Sequence, residues 1–161
     1  HLYEPLMRDG IPCLSIADPT ASGDLINKKQ MERFAVPGLK KLTDWAKSKG
    51  AHSILHICGN TSDRLDLFPL TGASTIFFDQ KVDMAKATAA LSGKMSFGGN
   101  VAPVHVLLNQ DVAGVEKACR EVIAIAGGTP GFILVPGCDI PPTIPYENLR
   151  AFHDAAREWK L

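Results

Sequence analysis

The chain has 161 residues, the size of one domain, and 45% of them are hydrophobic. Its 17 basic and 17 acidic residues cancel, and no Lys/Arg cluster stands out, which argues against a nucleic-acid-binding protein. No apolar run has membrane-spanning length, the first residues lack the regions of a signal peptide, and the four cysteines are not clustered like a disulfide framework. These features predict a cytoplasmic protein with no membrane or nucleic-acid partner.

Apolar runs and turn residues alternate regularly along the chain. The predicted strands are residues 11–18, 53–58, 74–79, 94–100 and 131–136. Helical periodicity begins near residue 29, and Pro37 is expected to interrupt it and open a new helix that ends at Gly50. Further helices are predicted from the capping residues at 60–63 to about residue 70, at 84–92 with Asp83 as the N-cap, and at 103–108. Two more are predicted from the N-cap Asp111 to residue 126 and at 145–159.

This order amounts to about five strands and five or six helices in strand-then-helix units with short connections. Near-continuous apolar strands are typical of parallel sheets covered on both faces, so the fold class is α/β with right-handed crossovers. Two architectures fit the pattern: an open doubly wound sheet, or part of a (β/α)8 TIM-type barrel, since a whole barrel needs about 250 residues.

Chemically capable side chains gather where the predicted strands end. In both architectures ligands bind at the carboxyl ends of the strands. The residues found there are Asp18, His56, Cys58, Asp79, Asn100, Cys138 and Asp139. Asp18 and Asp79 could equally be helix caps or loop formers, and the loop at Asn100 could need its two preceding glycines for backbone shape alone.

His56 and Cys58 are the sharpest pair, because side chains two apart on a strand point to one face. Cys138 follows the fifth strand. One neutral imidazole and two thiolates suit zinc, and three protein ligands leave a position open for chemistry. A lone cysteine in an apolar element is more often a small buried hydrophobe, which is the interpretation for Cys13 and Cys119.

The separation of the second and fifth strands constrains this zinc hypothesis. If strand order follows the sequence, three spacings of about 4.8 Å put them about 14 Å apart on a flat sheet. One zinc cannot span that distance, so the hypothesis favours a barrel. It also requires the loop after the fifth strand to bend inward, which Gly137 would allow.

Six segments, in this order, resemble the uroporphyrinogen decarboxylase superfamily, and more narrowly its methylcobalamin:coenzyme M methyltransferases and their corrinoid-dependent relatives. They are IADPTAS (16–22), LHICGN (55–60), FDQKVD (78–83), GGNVAP (98–103), VPGCDIPP (135–142) and PYENLRA (145–151). The resemblance runs from about residue 10 to residue 159 and covers only the C-terminal half of a family of single (β/α)8 barrels. It implies that residues 1–161 form one half-barrel domain, the C-terminal portion of a longer barrel.

The resemblance also implies an activity. The family's zinc motif falls on His56, Cys58 and Cys138, which implies zinc-dependent transfer of a methyl group from a methylated corrinoid protein (methylcobalamin as donor) to a coenzyme M-like thiol. Among the remaining strand-end residues, Asp79 would orient a ligand or the acceptor and is the candidate catalytic residue.

Three other residues are candidates for cofactor binding. Asp18, Ser22 and Asn100 would line the mouth where the corrinoid docks. Tetrahydrofolate, or a thiol other than coenzyme M, remains open as the methyl acceptor.

Other functions stay open at this point. A half-barrel exposes two strand edges, which predicts a homodimer or a partner that completes the barrel, and the chain could be a non-catalytic zinc-binding half. Decarboxylation is disfavoured, because the family's true decarboxylases are metal-independent and lack the zinc motif. A further alternative is an open sheet in which Cys58 and Cys138 are simply buried.

Overall fold

The computed structural model describes residues 4–5 and 10–159, and its centre is one parallel sheet. The five strands follow one another in chain order across the sheet, and each pairs in parallel with the next. They are β1 (Cys13–Ala17), β2 (His52–Ile57), β3 (Thr75–Phe78), β4 (Ser96–Val101) and β5 (Phe132–Pro136). All five predicted strands are present, each within two residues of its expected start and end.

Among the described residues there are four regular helices, of which the first three pack against the sheet and the last packs against the third. They are α1 (Val36–Ser48), α2 (Met84–Leu91), α3 (Val112–Ala126) and α4 (Tyr146–Glu158). Shorter helical segments connect them at Pro19–Ala21, Lys28–Gln30, Met31–Ala35, Leu65–Thr71 and Pro103–Leu108. The predicted caps form: Asp83 accepts the backbone N–H groups of Ala85 and Lys86, and Asp111 accepts that of Gly114.

Pro37 lies in the first turn of α1, so the prediction that it opens a new helix is confirmed, but it does not interrupt the helical chain. The chain is helical without a break from Lys28 to Ser48, because Met31–Ala35 forms a wide π turn in which the N–H of Val36 donates to the carbonyl of Met31. This wider turn has already displaced the regular hydrogen-bond ladder, so a proline without an N–H group fits directly after it.

Only one face of the sheet is fully covered among the described residues. Leu14, Leu55 and Ile76 alternate along their strands with more exposed neighbours and belong to the main core with the helices. The opposite face is partly open, with Ala17 exposed and Ile133 42% exposed. The expectation that both faces are covered is therefore wrong for this part of the chain, since consecutive right-handed crossovers place every helix on the same side.

The strand order decides between the two architectures. A doubly wound sheet reverses its order at a switch point, whereas here the order runs from β1 to β5 without reversal. This is the arrangement of consecutive units in a (β/α)8 barrel, so the fold is a partial barrel with β1 and β5 at the edges of the described sheet. Among the described residues, no helix has the length and apolarity to cross a bilayer.

Candidate metal centre

The three predicted ligands meet at the carboxyl end of the sheet. Nε2 of His56 lies 3.0 Å from Sγ of Cys58, and the two sulfur atoms of Cys58 and Cys138 lie 3.4 Å apart. All three ligand atoms fall within 4.8 Å of one another, and all three residues are half-buried. Strand curvature and the loop after β5 therefore close the gap that a flat sheet would leave.

The imidazole of His56 is held in one tautomer by its neighbour strand. Nδ1 lies 2.9 Å from the carbonyl oxygen of Phe77 in β3. Because a carbonyl only accepts, Nδ1 carries the proton and donates, which leaves the lone pair of Nε2 facing Cys58. A metal-binding histidine needs this arrangement, in which the second ring nitrogen donates to a fixed acceptor.

The turn after Cys58 is fixed by a buried carboxylate. Gly59 has a positive φ of 88°, which suits glycine, and its N–H donates to Oδ2 of Asp79 at 2.8 Å. The other oxygen of Asp79 accepts the N–H of Lys81 at 2.9 Å, and the residue is only 8% exposed. Asp79 thus sets the direction of the Cys58 segment and is not itself one of the converging ligands.

Cys138 reaches the centre because Gly137 has no side chain. A Cβ at Gly137 would lie 2.5 Å from the backbone nitrogen of Gln80, on the segment that follows β3. The N–H of Gly137 also donates to the carbonyl of Val101 at 2.8 Å. The inward bend predicted at Gly137 is present, and it depends on close backbone contact with the residues after Asp79.

Asn100 supports the same segment from β4. Its Nδ2 donates to the carbonyl oxygens of Asp79 at 3.0 Å and Val82 at 2.7 Å, and the side chain is 9% exposed. Both amide hydrogens are therefore committed to the protein, and only Oδ1 is left for a corrinoid. Cofactor binding by Asn100 stays a prediction.

Ser22 and Asp18 lie in different surroundings. Ser22 is buried and lines a shallow cavity of about 300 Å³ together with Cys58, Gly59 and Asp79. Asp18 accepts a hydrogen bond from Thr20 and lines a larger, mainly apolar cavity of about 560 Å³ beside β1. The structure therefore brings Ser22, and not Asp18, to the cavity that is lined by Cys58, one of the three candidate metal ligands.

Two further charged residues line the smaller cavity and were not predicted. Asp24 and Lys81 form an ion pair, with Nζ 2.8 Å from Oδ2. Lys81 follows Asp79 by two residues in the segment FDQKVD, so it could have been considered as a strand-end residue. Nothing in the local pattern distinguishes Asp24 from other loop aspartates.

The electrostatics of the centre favour a bound cation. The pKa of the Cys58 thiol is raised to about 11, first by burial and then by the hydrogen bond with Cys138 and the nearby charges of Cys138, Asp79 and Asp139. Without a metal the thiol is therefore protonated at neutral pH. A divalent cation removes this penalty, because it compensates the negative charges that crowd the site.

The donor geometry fits zinc. Zn–S bonds of about 2.3 Å and Zn–N bonds of about 2.0 Å at tetrahedral angles separate the donor atoms by about 3.5–3.8 Å. The contacts of 3.0 Å and 3.4 Å need to open by less than about 1 Å to reach this spacing, which small rotamer changes supply. His56, Cys58 and Cys138 would hold the ion and leave its fourth position for another ligand.

Gly137→Ala tests the contact that brings Cys138 inward. The added Cβ collides with the backbone of Gln80, so the loop must move outward and apparent zinc affinity should fall by about 10- to 100-fold, the usual effect of disturbing the groups that orient metal ligands. Competition with a chromophoric chelator measures this. Gly128→Ala is the matched control, because a Cβ there meets nothing within 4 Å. Equal affinities for the two variants would contradict the packing described.

The raised pKa of Cys58 gives a second test. Because the thiol loses its proton when a metal binds, apparent zinc affinity should fall about tenfold per pH unit for this group as the pH is lowered from about 8 to about 6. Titration with a chelator competitor at several pH values measures the slope, and the unfolding temperature of the metal-free protein at each pH serves as the control. A pH-independent affinity would exclude a metal–thiolate bond.

Several known proteins are similar to this chain. It is 34% identical over 155 residues to a methylcobamide:CoM methyltransferase, MtbA, of Methanosarcina acetivorans, which covers 96% of this chain and 44% of that protein. It is 31% identical over 149 residues to a methylated-thiol–coenzyme M methyltransferase of Methanosarcina mazei, covering 92% of this chain and 38% of that protein. The chain thus spans less than half the length of these relatives.

A solved structure and a family model agree with these similarities. The structure of a methyltransferase from Methanosarcina mazei superposes with a TM-score of 0.82 at 29% identity, covering 95% of this chain and 44% of that one. The 44% coverage of that chain agrees with a resemblance to only about half of a longer family member, as the sequence predicted. The model of the uroporphyrinogen decarboxylase (URO-D) family matches residues 3–159. The chain therefore belongs to the uroporphyrinogen decarboxylase family.

Proposed function

We propose that this chain carries the metal-binding part of a zinc-dependent methyltransferase, which moves a methyl group from a methylated corrinoid protein to a thiol such as coenzyme M. The convergence of His56, Cys58 and Cys138 within 4.8 Å is the observation that carries the proposal. Relatives named as methylcobamide:CoM and methylated-thiol methyltransferases support the same reaction class. The chain spans less than half of them, so the activity of the whole protein is part of the proposal.

The proposed reaction needs the thiol acceptor in its deprotonated form, the thiolate. A free thiol has a pKa of about 8.5 and is mostly protonated at neutral pH, although only the thiolate attacks carbon efficiently. A zinc ion held by the three side chains supplies a charge that keeps an acceptor sulfur deprotonated. In the overall transfer the sulfur–carbon bond forms, the cobalt–carbon bond breaks, and its electron pair stays on the corrinoid as Co(I).

The chain's own residues orient the centre for this task. The backbone carbonyl of Phe77 holds the tautomer of His56 by accepting a hydrogen bond from Nδ1–H, and Asp79 holds the turn after Cys58. The cavity of about 300 Å³ beside Cys58 is the space in which an acceptor would bind. Ser22 lines this space, and we assign it to contact with the acceptor or corrinoid.

Asp79 has a positioning role in this proposal, because both of its oxygens are bonded to backbone N–H groups. Asp18 and Asn100 lie at the same end of the sheet and are proposed at the mouth for the corrinoid, with Asn100 contributing through its Oδ1.

All four cysteines are free, which agrees with a reducing cytoplasmic setting for the reaction.

Metal analysis and methyl transfer test the proposal together. The reduced protein should contain one zinc per chain, and Cys138→Ala should lose it because one of the three ligands is gone. Cys13→Ala is the matched control, since Cys13 is a half-buried thiol on β1 outside the cluster. Zinc-loaded protein should then demethylate methylcobalamin with a thiol acceptor, followed by the absorbance change of the corrinoid. Absence of zinc from the reduced protein would refute the assignment.

A second candidate function is a non-catalytic zinc-binding half that needs a partner. The observation that favours it is the partly open inner face, where Ile133 is 42% exposed, between edge strands β1 and β5. Such edges and apolar surface call for a covering chain, either a second copy in a homodimer or a partner that completes the barrel.

Light scattering separates these states. We expect the purified chain to form a dimer or to bind a separately supplied N-terminal half, because pairing at β1 and β5 buries the exposed inner face. The non-catalytic function predicts bound zinc without methyl transfer even in the completed assembly. A well-behaved monomer that does not bind the other half would contradict the pairing.

A further inference from the structure

We propose that Asp24 and Lys81 are positioning residues of the metal centre, which act on Cys58 through the peptide groups that follow it. The inference rests on the metal site of the proposed function, but it concerns residues that are not ligands and that lie on two other loops. Asp24 follows β1, Lys81 follows β3, and Cys58 follows β2 between them.

Asp24 holds one side of the turn after Cys58. Its carboxyl group has a lowered pKa, chiefly because of Lys81 and to a smaller extent because of the nearby backbone N–H of Asn60. A Cβ at Gly59 would lie 2.5 Å from Oδ2 of Asp24, so the carboxylate rests directly on this turn. The carbonyl of Asn60 in turn accepts the N–H of Gly23 at 2.9 Å, which ties the two loops together in the other direction.

Asp79 holds the opposite side of the same turn. Its Oδ2 accepts the N–H of Gly59 at 2.8 Å, so the turn after Cys58 is flanked by two carboxylates from different loops. The direction of the Cys58 side chain depends on both carboxylates keeping their places. Without compensation, two negative charges this close to one turn repel each other.

Lys81 supplies the compensating charge. Its ammonium lies 2.8 Å from Oδ2 of Asp24, and its backbone N–H binds Oδ1 of Asp79 at 2.9 Å. Both carboxylates favour the charged form of Lys81, and Asp24 contributes most. One residue therefore joins the two carboxylates around Gly59.

The ion pair is too exposed to have much effect on overall stability. The side chains of Lys81 and Asp24 are 56% and 46% exposed, and ion pairs at such positions contribute little to the free energy of unfolding. Its effect is local, on the geometry of the turn that follows a metal ligand. Groups that orient metal ligands typically change metal affinity by about 10- to 100-fold.

Two substitutions distinguish a positioning role of the Asp24–Lys81 pair from a purely electrostatic effect on zinc affinity. Lys81→Met removes a positive charge, which by electrostatics alone would strengthen binding of a cation, whereas Asp24→Asn removes a negative charge and would weaken it. If the pair positions Cys58, both variants bind zinc more weakly, because both break the link between the loops. We expect about a tenfold loss or more in each, and recovery to within about threefold in Lys81→Arg.

The readouts are zinc affinity by chelator competition and the absorption spectrum of the cobalt(II)-substituted protein. A displaced Cys58 should shift the thiolate-to-cobalt charge-transfer and d–d bands in Lys81→Met and leave them unchanged in Lys81→Arg. Lys86→Met is the matched control, because it removes another exposed lysine, paired with Asp83 at 3.8 Å on α2. The unfolding temperature of each metal-free variant should match that of the unaltered chain.

Each other outcome has a distinct meaning. Opposite changes in affinity for Lys81→Met and Asp24→Asn, with unchanged cobalt spectra, would overturn positioning in favour of charge alone. Unchanged affinity in both would overturn it as well, and so would weaker binding that tracks a lower unfolding temperature. If the unaltered chain binds neither zinc nor cobalt, the proposed function fails, and that result is distinguishable from all of these.

Discussion

The end of β3 is the structural support on which the whole centre depends. The carbonyl of Phe77 fixes the tautomer of His56, the carboxylate of Asp79 binds the turn after Cys58, and the backbone at Gln80 forms the surface against which Gly137 packs. All three ligands belong to other segments, yet each is oriented by a group within these four consecutive residues. A displacement of this short segment would therefore disturb all three ligands together, whereas a change in any single ligand loop would affect one.

This support explains how residues from β2 and β5 meet although two strands lie between them. Asn100 in β4 binds the carbonyls at both ends of the segment after β3 and so holds it at the mouth of the sheet. With that backbone in place, the absence of a side chain at Gly137 is enough to bring Cys138 against Cys58. The curvature that the zinc hypothesis requires is thus produced by backbone contacts between neighbouring loops as well as by the twist of the sheet.

The sequence predicted the parts of this arrangement that depend on residue type and local pattern. Apolar runs and capping aspartates located the strands and helices, and the spacing of His56 and Cys58 with a distant Cys138 indicated a metal site. The remaining features depend on tertiary contacts that local patterns do not record. The acceptor for His56 is a backbone carbonyl, and the Asp24–Lys81 pair joins residues 57 positions apart. The interruption predicted at Pro37 is wrong, because a π turn before it lets the helical chain continue into α1.

The placement of these groups makes metal binding separable from catalysis. The three ligands, and every contact described here that orients them, belong to the sheet β1–β5 and its loops, so the described residues contain a full set for a metal site. In the proposed function, the acceptor and the corrinoid would approach from the open face, which these residues line on one side only. Stable pairing at the edge strands β1 and β5 would add the opposite side without moving a ligand. In the proposed function, the chain's metal affinity would therefore depend on its own loops, while turnover would depend on what covers the inner face of the sheet.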